Sequence, residues 1–459
     1  MNPTPERPSP QRGFLRSVGV LVGGSAFAHA VTAAALPVLS RLYSPSDFSV
    51  LAVFSGLLSI IAVAASLRFD IAVTLPEHDA DAINILALAI LSAVVVSLVL
   101  AALVYSAPHQ ITAWLNQPRL APYLWLLPLG TLLTASYSAL QCWFVRHRNF
   151  SLIARSRISQ SVASTGTQLA MGAVNLTPVG LLIGYVLNTG AACTLLGYQL
   201  LRGTQRALLR SVSWNGVRAV FNTYDRFPKY STFEALSNSA AIQVPVIMIA
   251  ALAAGPEAGY LTLAMAVMQA PMALIGNAIG QVYLSRAPLE YRAGHLADFT
   301  SEVFAGLLKA GVGPLLLAGI VSPSAFAVVF GEDWRRAGQL VAWMTPWFIL
   351  QFLAVPISMA LHITGNQRTA LVLQLFGMLL RVTAVWGAAT WSSERISEAY
   401  AVSGFIFYLA YTAVLLRIAG VPTSKLLNSI RGGIAPAAAW VGAGLVISVA
   451  LTSLHLAAR

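Results

Sequence analysis

The chain has 459 residues, 57% of them hydrophobic and only 10% charged, with a formal net charge of +12. Soluble domains carry about 25% charged residues, so this composition excludes a soluble globular protein, which would lack the polar surface to cover its core. The two cysteines, Cys142 and Cys193, sit in or beside apolar runs, which excludes a disulfide framework or a cysteine metal site and reads as buried thiols.

The first sixteen residues, "MNPTPERPSPQRGFLR", read as a polar, Pro-rich, disordered tail with no cleavable signal. Thirteen apolar segments of membrane length follow, near 17–40, 48–67, 82–105, 121–144, 158–175, 179–201, 232–254, 258–282, 302–321, 338–361, 369–391, 397–418 and 434–456. The fifth, "ISQSVASTGTQLAMGAVN", is polar for a membrane helix and should face other helices. The last is apolar enough to cross but lies outside any pairing with the rest.

With the N-terminus in the cytoplasm, alternation of sides places 20 of the 28 Lys and Arg in cytoplasmic segments and 6 opposite, leaving Lys309 and Arg381 inside spans. This is the positive-inside bias. It accounts for most of the net charge without a nucleic-acid partner, because the cations are spread over alternate loops rather than gathered in one patch.

The break "RLYSPSDF" between the first two spans has the chemistry of a tight extracytoplasmic turn. Ser44 fits an N-cap, Pro45 the first helical position and Asp47 the acid of a capping box. Thr177–Pro178, Gly255–Glu257 and Ser322–Ser324 repeat the turn chemistry on the same side. "SPSDFSVLAVF" overlays "GPEAGYLTLAM" at an offset of 211 residues, each between the first and second helix of a set. That points to two six-helix halves joined by the long basic segment Arg202–Tyr230, as in transporters built from repeats.

Three stretches, "LYSPSDFSVLAVFSGLLSIIAVAASLRFDIAVTLPEHDADAINI", "RFPKYSTFEALSNSAAIQVPVIMIAALAAGPEAGYLTLAMAVMQAPMALIGNAIGQVYLSRA" and "FGEDWRRAGQLVAWMTPWFILQFLAVPIS", occur in that order. They resemble the O-antigen-type polysaccharide-biosynthesis flippases of the multidrug/oligosaccharidyl-lipid/polysaccharide exporter superfamily, from about residue 15 to 420. The resemblance implies an all-α polytopic fold of two six-helix bundles related by pseudo-two-fold symmetry around a central cavity; such proteins usually have twelve or fourteen spans, and the thirteenth segment here departs from that as an extra C-terminal helix. The regions are then a tail at 1–16, bundles at 17–201 and 231–418, a basic cytoplasmic linker at 202–230 and a C-terminal segment at 419–459. The resemblance further implies movement of an undecaprenyl-diphosphate-linked oligosaccharide across the inner membrane; a glycan polymerase is an expected partner, no cofactor is expected, and the lack of a P-loop leaves H+ or Na+ as the expected coupling ion.

A sugar diphosphate crosses hydrocarbon only where polar groups replace its water. Ionisable and amide side chains inside spans are therefore the candidate substrate contacts. These are His29 midway along the first span, Arg68 and Asp70 closing the second in "SLRFD", Gln243, Gln269 and Asn277, and Arg381 about twelve residues into the eleventh span. Each has a plainer alternative. His29, Gln243, Gln269 and Asn277 can bond between helices, and Arg68 and Asp70 can form a snorkelling interfacial pair. Arg381 can be a structural arginine bonded to backbone carbonyls. Lys309 is placed to snorkel, Pro245 and Pro271 to kink their helices, and Ser231 with Glu234 to form a capping box.

No metalloprotease, serine-hydrolase, P-loop or paired-carboxylate motif is present, so an enzyme is not expected and a P-loop ATP drive is absent. The alternatives are a cation-coupled multidrug exporter or lipid II flippase of the same superfamily. A glycan polymerase or ligase of the membrane is a further one, but it calls for a large extracytoplasmic loop, and the longest here surrounds "SPSAFAVVFGEDWRRAG".

Overall fold

The computed structural model describes residues 10–272 and 276–457. The side chains of residues 10–22, 204, 270, 271, 277, 278, 281, 452 and 454–457 lie outside the description. Among the described residues every regular element is helical. In chain order the α-helices are α1 (Pro10–Leu42), α2 (Pro45–Ala65), α3 (Phe69–Ala72), α4 (Asp79–Ser106), α5 (Pro108–Trp114), α6 (Leu126–Arg146), α7 (Phe150–Ala173), α8 (Val179–Arg202) and α9 (Trp214–Thr223). They continue as α10 (Thr232–Leu252), α11 (Glu257–Pro271), α12 (Asn277–Arg292), α13 (Leu296–Phe330), α14 (Arg335–Ala354), α15 (Ala360–Ile363), α16 (Gln367–Trp391), α17 (Ile396–Ile418) and α18 (Thr423–Ala457).

Ten helices among the described residues are long and apolar enough to cross a membrane. Of the thirteen expected segments, 121–144 and 158–175 fall on α6 and α7, whose hydroxyl and amide side chains keep them out of the ten. The segment 258–282 falls on α11, which ends at Pro271, and α12, which starts at Asn277. Helix α1 begins at Pro10, inside the stretch read as a tail.

The capping box at Ser44 is formed. The Ser44 N–H donates to Asp47 Oδ2 at 2.9 Å, and the Asp47 N–H donates to Ser44 Oγ at 3.3 Å, with Pro45 as the first residue of α2. The turn expected at Ser322–Ser324 is not there: α13 runs through it to Phe330. Pro323 cannot donate to the carbonyl four residues back. The Ser322 hydroxyl donates to that carbonyl, Gly319 O, at 2.9 Å and lies equally close to Gly338 O, so the helix survives its proline. The expected extracytoplasmic loop therefore shrinks to the stretch after Gly331, whose φ of +109° ends α13. The box expected at Ser231 and Glu234 is also absent. A π-helical turn over Phe227–Ser231 leads straight into α10, leaving no helix start to cap, and Glu234 is exposed.

The chain divides into two compact units, one of residues up to Ala35 with Phe54–Ala240, the other of Leu36–Val53 with Ala241–Arg459. The core of the first is built from α3, α4, α6, α8 and α9, around Phe69, Ile85, Leu86, Trp143 and Leu196. Helix α7 turns its polar stripe inward, burying Ser156, Gln160, Ser161 and Ser164. It meets α8 so closely that a Cβ on Gly184 would sit 2.9 Å from the Ser164 carbonyl. Small residues of this kind let membrane helices touch where no hydrophobic force drives them together.

The basic segment after Arg202 is folded rather than a loop, with a 3-10 turn over Thr204–Ser211 and then α9. Asn84 of α4 pins it, donating to the Ser211 carbonyl at 3.2 Å and accepting from the Ser213 N–H at 3.0 Å. Trp143 adds an indole hydrogen bond to Gln205 Oε1 at 2.7 Å.

In the second unit α13 packs on α14 and α18, and α14 and α16 pack on α17. Helix α18, expected to stand apart, is seated on α13. Trp440 occupies the space over Gly313, and Ile320 faces Gly444. The turn at Pro45 is held in this unit too: Gly259 of α11 lies against the Pro45 carbonyl, and the Trp334 indole donates to Ser40 O at 2.8 Å.

Candidate functional site

The buried side of α14 presents Trp347, with Gln351 one turn further on. Helix α17 places Tyr400, Gly404 and Tyr408 at four-residue spacing, hence on one face. Gly404 has no side chain, so Trp347 lies flat over it; a Cβ there would come within 2.5 Å of the indole. Trp347 also stacks on Phe348 with ring centres 5.2 Å apart and meets Tyr400 edge-on at 5.3 Å. On α16, Gly377 leaves room in the same way for Phe407.

Into this aromatic frame α16 inserts Arg381, only 8% exposed. Its guanidinium carbon stands 4.8 Å from the centre of the Phe407 ring and 5.5 Å from that of Trp347. It is also within hydrogen-bond reach of the Tyr408 hydroxyl. The cation is held by ring faces and a phenol, an arrangement that strengthens when water is excluded.

Arg381, Trp347, Tyr400 and Tyr408 line a cavity of about 410 Å³ within the second unit, together with Gln269 and Gln351. That is the size of a small-ligand site. Three of its lining side chains carry a buried polar atom with no hydrogen-bond partner: Arg381 Nε, Trp347 Nε1 and Gln351 Oε1. Buried polar groups are nearly always paired, so three orphans around one cavity mark it out.

A second cluster in the same unit shows the contrast. Arg336 Nε donates to Glu257 Oε1 at 2.9 Å, Nη1 pairs with Glu398 at 2.7 Å, and Nη2 donates to the Glu394 carbonyl at 3.3 Å. This arginine is saturated by its own chain. It reads as a structural tie between α11, α14 and α17.

The other sequence candidates are dispersed. His29 is exposed on α1. Asp70 is buried and accepts from Ser66 Oγ at 3.0 Å and from Ser138 Oγ at 2.6 Å. Arg68, two residues earlier with φ of +60°, is half-buried with Nε unpartnered, and no ion pair joins it to Asp70 among the described residues. Gln243 is half-buried on α10, next to the cavity-lining Ile242. Asn277 opens α12, but its side chain lies outside the described residues. Lys309 is exposed on α13. Among the described residues, Arg381 and Gln269 are the candidates that share the cavity. Sequence reasoning passed over Trp347, Gln351, Tyr400 and Tyr408; the four-residue spacing of Tyr400, Gly404 and Tyr408 was the available signal. No group of three or more His, Cys, Asp or Glu side chains suited to a metal occurs among the described residues.

The fold has solved counterparts. The lipid II flippase MurJ in an inward closed conformation superposes with a TM-score of 0.65 at 13% identity, covering 95% of this chain and 98% of its own. An inward-facing multidrug-resistance MATE transporter of the MOP superfamily gives 0.63 at 12% identity, covering 86% and 95%. A MATE protein in complex with MaL6 gives 0.54 at 12%, covering 88% and 95%. No curated protein matches the chain in sequence. The profile described as polysaccharide biosynthesis protein matches residues 38–339. That match takes in the capped turn at Ser44, the first bundle from the end of α1 onward and the Glu257–Arg336 tie, and by it the chain belongs to the polysaccharide biosynthesis protein family.

Proposed function

We propose that this multi-pass membrane protein is a flippase that carries an undecaprenyl-diphosphate-linked oligosaccharide from the cytoplasmic to the outer leaflet of the inner membrane. It does so by alternating access, for O-antigen or exopolysaccharide assembly. The observation that carries the reading is the Arg381 cavity. It supplies a cation, amides and phenols among helices otherwise apolar enough for hydrocarbon. An arginine at a membrane-helix centre costs about 2.5–3.5 kcal/mol on insertion scales, and Arg381 lies in such a helix without an acidic partner among the described residues. A polar cargo that enters the cavity gives that cost a purpose.

The family and the shared fold with MurJ and MATE proteins support transport as the class of activity. A gradient of H+ or Na+ is the drive that fits a chain without a P-loop motif. The test is genetic and chemical. Deleting the gene in its host and extracting lipids should show a polyprenyl-diphosphate oligosaccharide accumulating on the cytoplasmic side, with surface glycan lost. Normal surface glycan in a deletion strain lacking a paralogue sinks the proposal. Lost drug efflux with intact glycan points to the multidrug exporter instead.

A further inference from the structure

The hydrogen-bonding inventory of the Arg381 cavity is specific about what can fill it. Two of its orphans are donors, the N–H at Arg381 Nε and the N–H at Trp347 Nε1, and each calls for an acceptor. The third, Gln351 Oε1, is an acceptor and calls for a donor. A fully ionised diphosphate offers oxygen acceptors alone, so it leaves Gln351 unanswered. A sugar hydroxyl donates and accepts at once, and a pyranose ring also has an apolar face that can lie on the half-buried Tyr408 ring.

From this we infer that the cavity is a saccharide subsite, recognising the sugar ring of the cargo, and that the diphosphate is held elsewhere. The inference rests on the flippase reading and narrows it. A single arginine brings one positive charge, which balances one sugar carboxylate but only half the charge of a diphosphate. The three orphan atoms are themselves covered by protein, so the Arg381, Trp347 and Gln351 side chains must turn toward the cavity when the sugar binds.

The orphans also predict an inverse relation between stability and binding. In the empty protein Gln351 Oε1 is an uncompensated buried acceptor, so Gln351→Leu removes a liability. Its melting temperature should rise while its affinity for sugar-bearing cargo falls. A residue with a merely structural role would not behave in this way.

The experiment uses the full chain in nanodiscs, wild type and the variants Gln351→Leu and Trp347→Phe, the second keeping an aromatic ring and losing the indole N–H. Three probes are titrated calorimetrically: bare undecaprenyl diphosphate, the host's lipid-linked oligosaccharide, and the water-soluble oligosaccharide released from it by mild acid. The expected result is that Gln351→Leu weakens both sugar-bearing probes about tenfold, leaves undecaprenyl diphosphate unchanged, and melts at a higher temperature than wild type. Trp347→Phe should weaken the same two probes and spare the third. Equal weakening of bare undecaprenyl diphosphate assigns the cavity to the diphosphate and overturns the saccharide subsite. Unchanged binding of all three probes by both variants overturns it too. Failure of the wild type to bind the lipid-linked oligosaccharide, with melting intact, defeats the flippase reading itself.

Discussion

The Arg381 guanidinium lies 4.8 Å from the centre of the Phe407 ring, and this contact exists because Gly377, one helical turn before Arg381, has no side chain to push the ring away. A cation in hydrocarbon, a ring that partly offsets its charge and a glycine that makes the ring fit thus form one unit. Its parts can be separated by substitution.

Export should fall roughly tenfold or more in Arg381→Ala at normal membrane levels. A hydrogen bond from a charged group to the cargo is worth about 1.5–3 kcal/mol, and about 1.4 kcal/mol is a tenfold effect. Arg381→Lys should retain an intermediate level, because an ammonium keeps the charge but loses the planar fork that lies on Phe407 and Trp347. Arg381→Gln should resemble Ala. The measurement is surface glycan in a complemented deletion strain, normalised to protein in the membrane. Full export by the Ala variant removes Arg381 from the cargo path.

A Cβ at position 404 would sit 2.5 Å from the Trp347 indole, whereas one at position 306 meets nothing within 4 Å. Gly404→Ala should therefore force Trp347 out of place and cost about 1–3 kcal/mol, as overpacking does. Gly306→Ala, on the exposed side of α13, should be neutral or stabilising by about 0.5–1 kcal/mol, since alanine orders a helix at a smaller entropy cost. Melting of the detergent-solubilised protein compares the two directly. Equal melting temperatures would show that the ring does not need the glycine.

The α2 start makes a local prediction. Ser44→Ala removes the side-chain half of the box that accepts from the Asp47 N–H, and should cost about 1 kcal/mol. Ser46→Ala, at the neighbouring position, should melt as wild type does. A Ser44→Ala protein that melts with wild type would mean that the turn is held by Gly259 on Pro45 and by Trp334 on Ser40, not by its cap.

What the sequence shows plainly is what depends on short range. Apolar length announces the spans, and the box at Ser44 is legible because cap chemistry is encoded within four residues. Serine and proline at 322–324 carry the same letters and mislead. The difference lies in the Ser322 hydroxyl, which reaches the Gly319 carbonyl within a helix whose continuation depends on packing against Gly338 of α14. Glu234 misleads for a related reason: the helix has already begun at the π turn before Ser231. Arg381 stands out in sequence because a charge in an apolar run needs an explanation. Its frame does not, because Trp347, Phe407 and Tyr408 come from two other helices and look like ordinary apolar positions. The seating of α18 on α13 is invisible for the same reason, since Trp440 over Gly313 joins residues far apart in the chain.

The orientation of the chain can be settled by labelling. Twenty of the 28 Lys and Arg fall on the side assigned to the cytoplasm, and short loops rich in cations stay inside. Three exposed positions are suitable for probes: His109 on α5, Asn215 on α9 and Ser453 near the end of α18. In a background with Cys142 and Cys193 replaced by alanine, His109→Cys should react with an impermeant thiol reagent applied to intact spheroplasts. Asn215→Cys should react only after lysis, since α9 lies in the basic segment between α8 and α10. The two positions are on opposite sides whichever way the chain inserts, so reversed labelling inverts the topology and places the cationic segment outside. Ser453→Cys reports on α18 independently. Thirteen crossings from a cytoplasmic N-terminus bring it to the outer face, where it should label with His109→Cys. Labelling that matches Asn215→Cys would mean an even number of crossings, with α18 lying along α13 without passing through.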